Sequence, residues 1–166
     1  MTVYLGLGSN LGDRQANLLH ALALLSPDIK IGKVSPVYDT APVGNKNQPR
    51  FLNLVCKVNT SLPPLRLLNF LKEIEMQMGR VTAPPNSPRP IDIDILFYGD
   101  LIMETPILVI PHPRLTERAF VLVPLVDIAP RLKHPVSGKT TSRLLKELKR
   151  TKEDAIVTNT SIYKKS

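Results

Sequence analysis

The chain alternates between two hydrophobic periods. Strict two-residue alternation is sharpest over residues 91–98, where Ile91, Ile93, Ile95 and Phe97 interleave with Asp92 and Asp94. Successive strand side chains point to opposite faces, so this segment is predicted to carry an apolar face and a face bearing both carboxylates. Residues 51–60 repeat the pattern, with Leu52, Leu54, Cys56 and Val58 on one side and Asn53 on the other. Ile and Val alternating with Lys and Ser over 29–38 predict a strand with one wet face, and a short apolar run over 3–7 predicts another. Between the strands the period lengthens. Leu18, Leu22 and Leu25 recur at helical spacing after Asp13, whose carboxylate suits a helix N-terminus, and before Pro27. Leu67, Leu71, Ile74 and Met78 line one face of a second helix, opened by Pro63 and Pro64 and closed by Gly79. Further helices are predicted over 115–123 and 141–149, while 151–166 reads as a tail with no element.

Glycine and proline punctuate these runs. Gly6, Gly8 and Gly12 read as a glycine-marked turn; their spacing is not the G-x-G-x-x-G of a dinucleotide loop, and no acidic residue closes a βαβ unit behind them. Pro42, Gly44 and Pro49 mark a loop over 40–50. Pro84, Pro85, Pro88 and Pro90 exclude helix and central strand, so Arg80 and Arg89 bracket a second loop. Strands and helices mix without strict βαβ repetition, which predicts an α+β fold built on an antiparallel or mixed sheet with helices on its faces. With 166 residues and no linker or repeat, residues 1–166 are expected to form one domain.

The net charge of +8 raises the question of nucleic acid, but its distribution answers against it. From Lys139 onward, Lys139, Arg143, Lys146, Lys149, Arg150, Lys152, Lys164 and Lys165 stand against Glu147, Glu153 and Asp154, which accounts for +5 of that +8. Such a segment reads as a solvated helix face and tail. A single cysteine, Cys56, excludes an intramolecular disulfide and fits a reducing compartment. No signal-peptide pattern and no apolar run of about 18 residues is present, so a cytoplasmic protein without membrane attachment is expected.

Two aspartates at i and i+2 of a strand project from the same face, about 7 Å apart along the chain. Packing both against a core-quality strand needs a partner, and spacing alone leaves two open: ion pairs with basic neighbours, or a divalent cation with phosphate. Arg80 and Arg89 lie just upstream, and a planar, permanently charged guanidinium suits phosphoryl oxygens as well as it suits a surface. His112, held in Pro111-His112-Pro113-Arg114, is either a structural histidine or a donor to a phosphate.

Joint order narrows these alternatives. Leu5-Gly6-Leu7-Gly8-Ser9-Asn10-Leu11-Gly12, Tyr38-Asp39-Thr40-Ala41-Pro42-Val43-Gly44, Gln48-Pro49-Arg50-Phe51-Leu52-Asn53, Gly79-Arg80, Pro88-Arg89-Pro90-Ile91-Asp92-Ile93-Asp94 and Pro111-His112-Pro113-Arg114 together resemble the 6-hydroxymethyl-7,8-dihydropterin pyrophosphokinase family, over residues 3–130. The resemblance implies a ferredoxin-like fold in three αβα layers and transfer of the terminal diphosphate of ATP to a pterin hydroxymethyl group, with release of AMP. It implies two Mg²⁺ ions on Asp92 and Asp94, Arg80 and Arg89 as catalytic phosphate-stabilising residues, and His112 as an ATP-phosphate contact. Phe51 and Phe120 match an aromatic pair that sandwiches the pterin, with Asn53 and the backbone of Thr40, Ala41, Pro42 and Val43 along its polar edge. Lys72, Glu75 and Arg118 match nucleotide contacts. The expected assembly is a monomer binding two small molecules. The chain departs from the family pattern at residues 82–87, which lack a tryptophan and basic residues common there, at Pro113 in place of an aromatic, and at Phe51 in place of tyrosine.

Two other classes compete. A ferredoxin-like RNA-binding module would expose aromatics on the sheet and leave the aspartates idle, although eight Phe and Tyr and no Trp supply few of them. A relative that keeps the pterin pocket but binds without turning over would rest on the altered 82–87 segment.

Overall fold

A computed structural model describes residues 1–42, 47–80, 83–84 and 87–148. Val43, residues 82, 85 and 86 of the 82–87 segment, Lys149 and the tail over 151–166 lie outside the described residues. In chain order the elements are β1 (Thr2–Ser9), α1 (Arg14–Leu25), β2 (Lys30–Val34), β3 (Tyr38–Thr40), β4 (Phe51–Asn59), α2 (Pro64–Gln77), β5 (Asp92–Tyr98), β6 (Met103–Glu104), β7 (Val109–Ile110), a 3₁₀ turn at Leu115–Glu117, α3 (Ala119–Ile128) and α4 (Thr141–Glu147).

The main sheet runs β2-β4-β1-β5, with β3 continuing β2 along the same edge of β4, and every pairing is antiparallel. Two strand–helix–strand halves interleaved in this order make the ferredoxin-like arrangement. Packing of α1 and α2 on one face buries Leu18, Leu22, Leu25, Leu67, Leu71 and Ile74 against Val3, Leu5, Leu7, Leu54, Cys56, Ile93 and Ile95. On the other face α3 and α4 place Val121, Leu122, Leu125 and Leu144 against Tyr4, Val55, Leu96 and Phe97. Three layers result, each buried Leu or Ile contributing about 1.5–3 kcal/mol by leaving water. The 3.6-residue stripe read in the sequence supplies the buried face of α2, and the Asp13 carboxylate caps α1 by accepting from Ala16 N–H at 3.1 Å.

Three expectations about elements need correction. The single strand over 29–38 is two, β2 and β3, interrupted at Ser35-Pro36. Proline has no N–H to offer the ladder, and the Ser35 hydroxyl takes over by accepting from Val55 N–H at 2.9 Å. The helix over 115–123 is a 3₁₀ turn followed by α3, separated by Arg118 in an extended conformation (φ −116°, ψ 104°). The expected apolar face of β5 also fails at its end. The register skips from Leu5↔Ile95 to Tyr4↔Phe97, so Leu96 is an extra, bulged residue, and Phe97 turns onto the α3/α4 face instead of following Ile91, Ile93 and Ile95.

Candidate active site

The site begins with an absence of side chains. In β1, Gly6 stands between Val55 of β4 and Asp94 of β5, and Gly8 between Asn53 and Asp92. A Cβ on Gly8 would come within 2.5 Å of Asn53 Oδ1 and 3.4 Å of the Phe51 ring, so only glycine leaves that floor open. The reading of Gly6 and Gly8 as a turn is therefore corrected: both are strand residues flooring a cleft on the α3/α4 face, and only Gly12, at φ 75°, is the turn glycine. Around that floor stand Thr40, Ala41, Phe51, Asn53, Phe120 and Arg118. Asn53 Nδ2 donates to Thr40 Oγ1 at 2.6 Å, which fixes the amide's orientation. Pro42 is not among the residues lining this cleft.

Asp92 and Asp94 share the side of β5 turned away from the Ile91, Ile93 and Ile95 core, as the alternation predicts. Arg80 Nη1 donates to Asp92 Oδ1 at 2.6 Å and to Glu75 Oε2 at 3.0 Å, and Arg89 Nη2 lies 3.6 Å from Asp92 Oδ2. Glu75, buried on α2, also accepts from Ile93 N–H at 2.8 Å, so it pins β5 and Arg80 at once. Removal from water pushes the Glu75 carboxyl up, and the Ile93 N–H and Arg80 oppose that. Asp94 has no such pairing among the described residues. Desolvation first, and the neighbouring Asp92 charge second, push it up to about 7, with Arg118 pulling the other way. Arg89 holds its guanidinium 5.1 Å from the Phe51 ring centre, and Arg118 holds its own 5.4 Å from that of Phe120.

The same two aspartates line a second cleft, which Arg80 lines with them. Its walls carry Lys72, Glu75, Arg80 and His112, together with Leu68 of α2 and the turn joining β6 to β7 through Thr105, Ile107 and Leu108. His112 is fixed by its own N–H on the Leu96 carbonyl (3.0 Å), and its Nδ1 accepts from Arg114 N–H at 3.2 Å. Burial, and then the Arg118 charge, pull its pKa down to about 4. The imidazole is thus neutral near pH 7, and with Nδ1 engaged as acceptor its remaining proton is assigned to Nε2, which makes that atom a donor.

Most of the residues named from the sequence therefore gather around two adjoining clefts with the carboxylate pair as common wall. Sequence reading missed the β6–β7 hairpin, whose two-residue strands are too short to show a period. It also missed Arg14, which with Arg50 pairs to Asp39 at the mouth of the 40–50 loop. Among the described residues no group of three or more His, Cys, Asp or Glu could hold a metal alone. A pair of carboxylates completed by ligand oxygens is how Mg²⁺ is commonly held, and the carboxylates of Asp92 and Asp94 on one side of β5 fit that donor set.

The chain is 45% identical over 148 residues to the 2-amino-4-hydroxy-6-hydroxymethyldihydropteridine pyrophosphokinase of Aquifex aeolicus, covering 89% of this chain and 90% of that one. It is 48% identical over 142 residues to the folic acid synthesis protein FOL1 of Dictyostelium discoideum, covering 86% of this chain but only 22% of that much longer protein. A crystal structure of wild-type HPPK-DHPS from Plasmodium falciparum superposes with a TM-score of 0.71 at 22% identity, over 88% of this chain and 44% of that one, and so shares the fold. Residues 4–130 match the family model described as 7,8-dihydro-6-hydroxymethylpterin-pyrophosphokinase, and the chain belongs to that family.

Proposed function

We propose that this protein transfers the terminal diphosphate of ATP to the hydroxymethyl group of 6-hydroxymethyl-7,8-dihydropterin, releasing AMP, as a step of folate synthesis. The observation that carries the reading is that Asp92 and Asp94 form the common wall of the two clefts. One cleft has two aromatic rings, Phe51 and Phe120, and a polar rim at Asn53 and Thr40, the combination that a flat heterocycle rich in donors and acceptors requires. The other offers Lys72, Arg80 and the Nε2–H of His112 to phosphate oxygens, with Leu68, Ile107 and Leu108 as apolar surface for a base. A chain of phosphates lying across the carboxylates would present its β-phosphorus to a hydroxyl held in the first cleft.

Asp92 and Asp94 would hold Mg²⁺, two ions on the family resemblance, which would supply positive charge against phosphate oxygens. The chain's own residues do the positioning. Arg80, anchored by Glu75, presents donors beside Asp92. Arg89 carries a buried Nε–H with no acceptor among the described residues, a donor free for a phosphoryl oxygen. Phosphoryl transfer through a loose transition state depends mainly on such placement and charge, and none of these residues is assigned as a general base. Thr40, Ala41, Pro42 and Val43 would supply main-chain contacts at the pterin edge.

The RNA-binding alternative has little to stand on, because Tyr4, Tyr38, Phe51, Phe97 and Tyr98 are buried and helices cover both faces of the sheet. No helix among the described residues is long and apolar enough to cross a membrane. The fully buried Cys56 thiol accords with a reducing compartment, and the reading has the enzyme acting in the cytoplasm as a monomer. The test is AMP formation from ATP and Mg²⁺ with and without the pterin. AMP that appears only with pterin supports the reading; pterin and nucleotide binding without AMP would leave a binding protein instead.

A further inference from the structure

Asn10 follows the last residue of β1 and is 1% exposed. Its partners all belong to the two segments that border the pterin-side cleft. The Asn10 N–H donates to the Arg89 carbonyl at 3.2 Å, and its Oδ1 accepts from the Arg89 N–H at 2.8 Å, so both main-chain polar groups of Arg89 are held by one residue. Its Nδ2 donates to Gln48 Oε1 at 2.8 Å and to the Pro49 carbonyl at 3.2 Å, in the stretch that runs into Phe51. Arg89 then reaches over the Phe51 ring and toward Asp92.

We propose that Asn10 is a positioning residue for the reaction: it sets Arg89, through the Arg89 main chain, in register with the segment that carries Phe51. The inference rests on the reading of Arg89 as a phosphate-stabilising residue. The chemistry requires an amide. Oδ1 must accept and Nδ2 must donate twice, so an aspartate keeps the Arg89 arm but turns a carboxylate toward two acceptors, and a leucine of similar size loses both arms. A buried amide whose oxygen and nitrogen are both satisfied holds one geometry, because turning it leaves its own polar atoms orphaned.

The experiment compares Asn10→Leu and Asn10→Asp in the wild-type and Arg89→Ala backgrounds, measuring kcat, KM for both substrates, and amide hydrogen exchange at Arg89. Asn10→Leu is expected to lower kcat on the order of 10- to 100-fold, as sub-ångström misplacement of a catalytic group does. KM should change by less than about threefold, since binding contacts remain. Asn10→Asp should recover part of the loss, because it still accepts from Arg89 N–H. In the Arg89→Ala background Asn10→Leu should cost less than about twofold, there being no guanidinium left to position. The Arg89 amide should exchange faster in Asn10→Leu than in wild type. Should Asn10→Leu not fold, Asn10→Ser, too short to span both arms, takes its place with the same expectations. An equal kcat loss in both backgrounds, or a lowered melting temperature with unchanged kcat, overturns the proposal. So does unchanged Arg89 exchange in a folded variant, and that readout stands whatever reaction the wild type performs. Wild-type protein that makes no AMP despite faster Arg89 exchange in the variant would instead count against the assigned reaction.

Discussion

The two faces of the sheet use the same strands for opposite ends. Toward α1 and α2, the buried side chains of β1, β4 and β5 are Val, Leu, Ile and Cys, with Tyr98 at the end of β5, packed into a continuous core. Toward α3 and α4, the same strands present Gly6, Gly8, Asn53, Asp92 and Asp94 at one end and Tyr4, Val55, Leu96 and Phe97 at the other. The first face is packed except at the β5 edge, where the second cleft opens between α2 and the β6–β7 turn; the other is closed only beyond the Leu96 bulge and hollow before it. The glycines subtract volume there and the aspartates add charge, and both lower the packing available to the fold. The difference teaches that stability and chemistry are assigned to opposite sides of single strands, residue by alternate residue, so a substitution's effect should follow the parity of its position.

The sharpest break of that division is Asp94→Ala. Pterin-dependent AMP formation should fall roughly a thousandfold or more, since on the proposed reading one of the two carboxylates that would hold the charge-neutralising cation is lost. The melting temperature should hold or rise, because the Asp92–Asp94 repulsion is relieved. One residue away on the opposite face, Ile93→Ala should do the reverse, costing about 2–5 kcal/mol in denaturant unfolding while the folded fraction keeps its kcat. Gly8→Ala tests the hollow itself. The Cβ must displace Asn53 Oδ1, so calorimetric titration should show pterin affinity down on the order of tenfold, with about 1–3 kcal/mol lost to overpacking.

The smallest effect is a pH dependence peculiar to the charged face. With its folded pKa raised to about 7 from the usual carboxylate value, Asp94 favours the folded state in its protonated form. Its contribution is present at acid pH and is lost as pH rises toward and through 7, so removing Asp94 should flatten the stability profile between about pH 4 and 7. Cation binding needs the ionised form and runs the other way. Mg²⁺ uptake should weaken as pH falls below 7 and should release a proton, seen as a buffer-dependent calorimetric heat; a buffer-independent heat at pH 6.5 would contradict it.

Much of this was legible in the chain. The alternation over 91–98 fixed which side of β5 carries the carboxylates, and the stripe of Leu67, Leu71 and Ile74 located α2 and its buried face. The joint order of short motifs reached Phe51, Asn53, Phe120 and His112, which no periodicity connects. The losses have physical causes. Leu96 and Phe97 are both apolar, so a bulge between them leaves no trace in a hydrophobic pattern. Gly6 and Gly8 signal a turn by composition, and only the neighbours in β4 and β5 reveal that they make a floor. The Ser35-Pro36 break and the extended Arg118 are decided by hydrogen bonds to distant strands or by local geometry that composition does not encode. Asn10 sits inside one of those short motifs, but no periodicity marks its role, which lies in four hydrogen bonds to residues 38 to 79 positions away.

The central claim is that Asp92 and Asp94 join a nucleotide cleft to a pterin cleft through a divalent cation. The measurement that tests it most directly is calorimetric titration of a non-hydrolysable ATP analogue into the wild-type protein, with Mg²⁺ and with chelator, followed by pterin into each mixture. Nucleotide binding that requires Mg²⁺, and that strengthens the subsequent pterin binding, is the result predicted by a shared carboxylate wall. Equal nucleotide affinity in chelator, or pterin binding indifferent to nucleotide and metal, would contradict it.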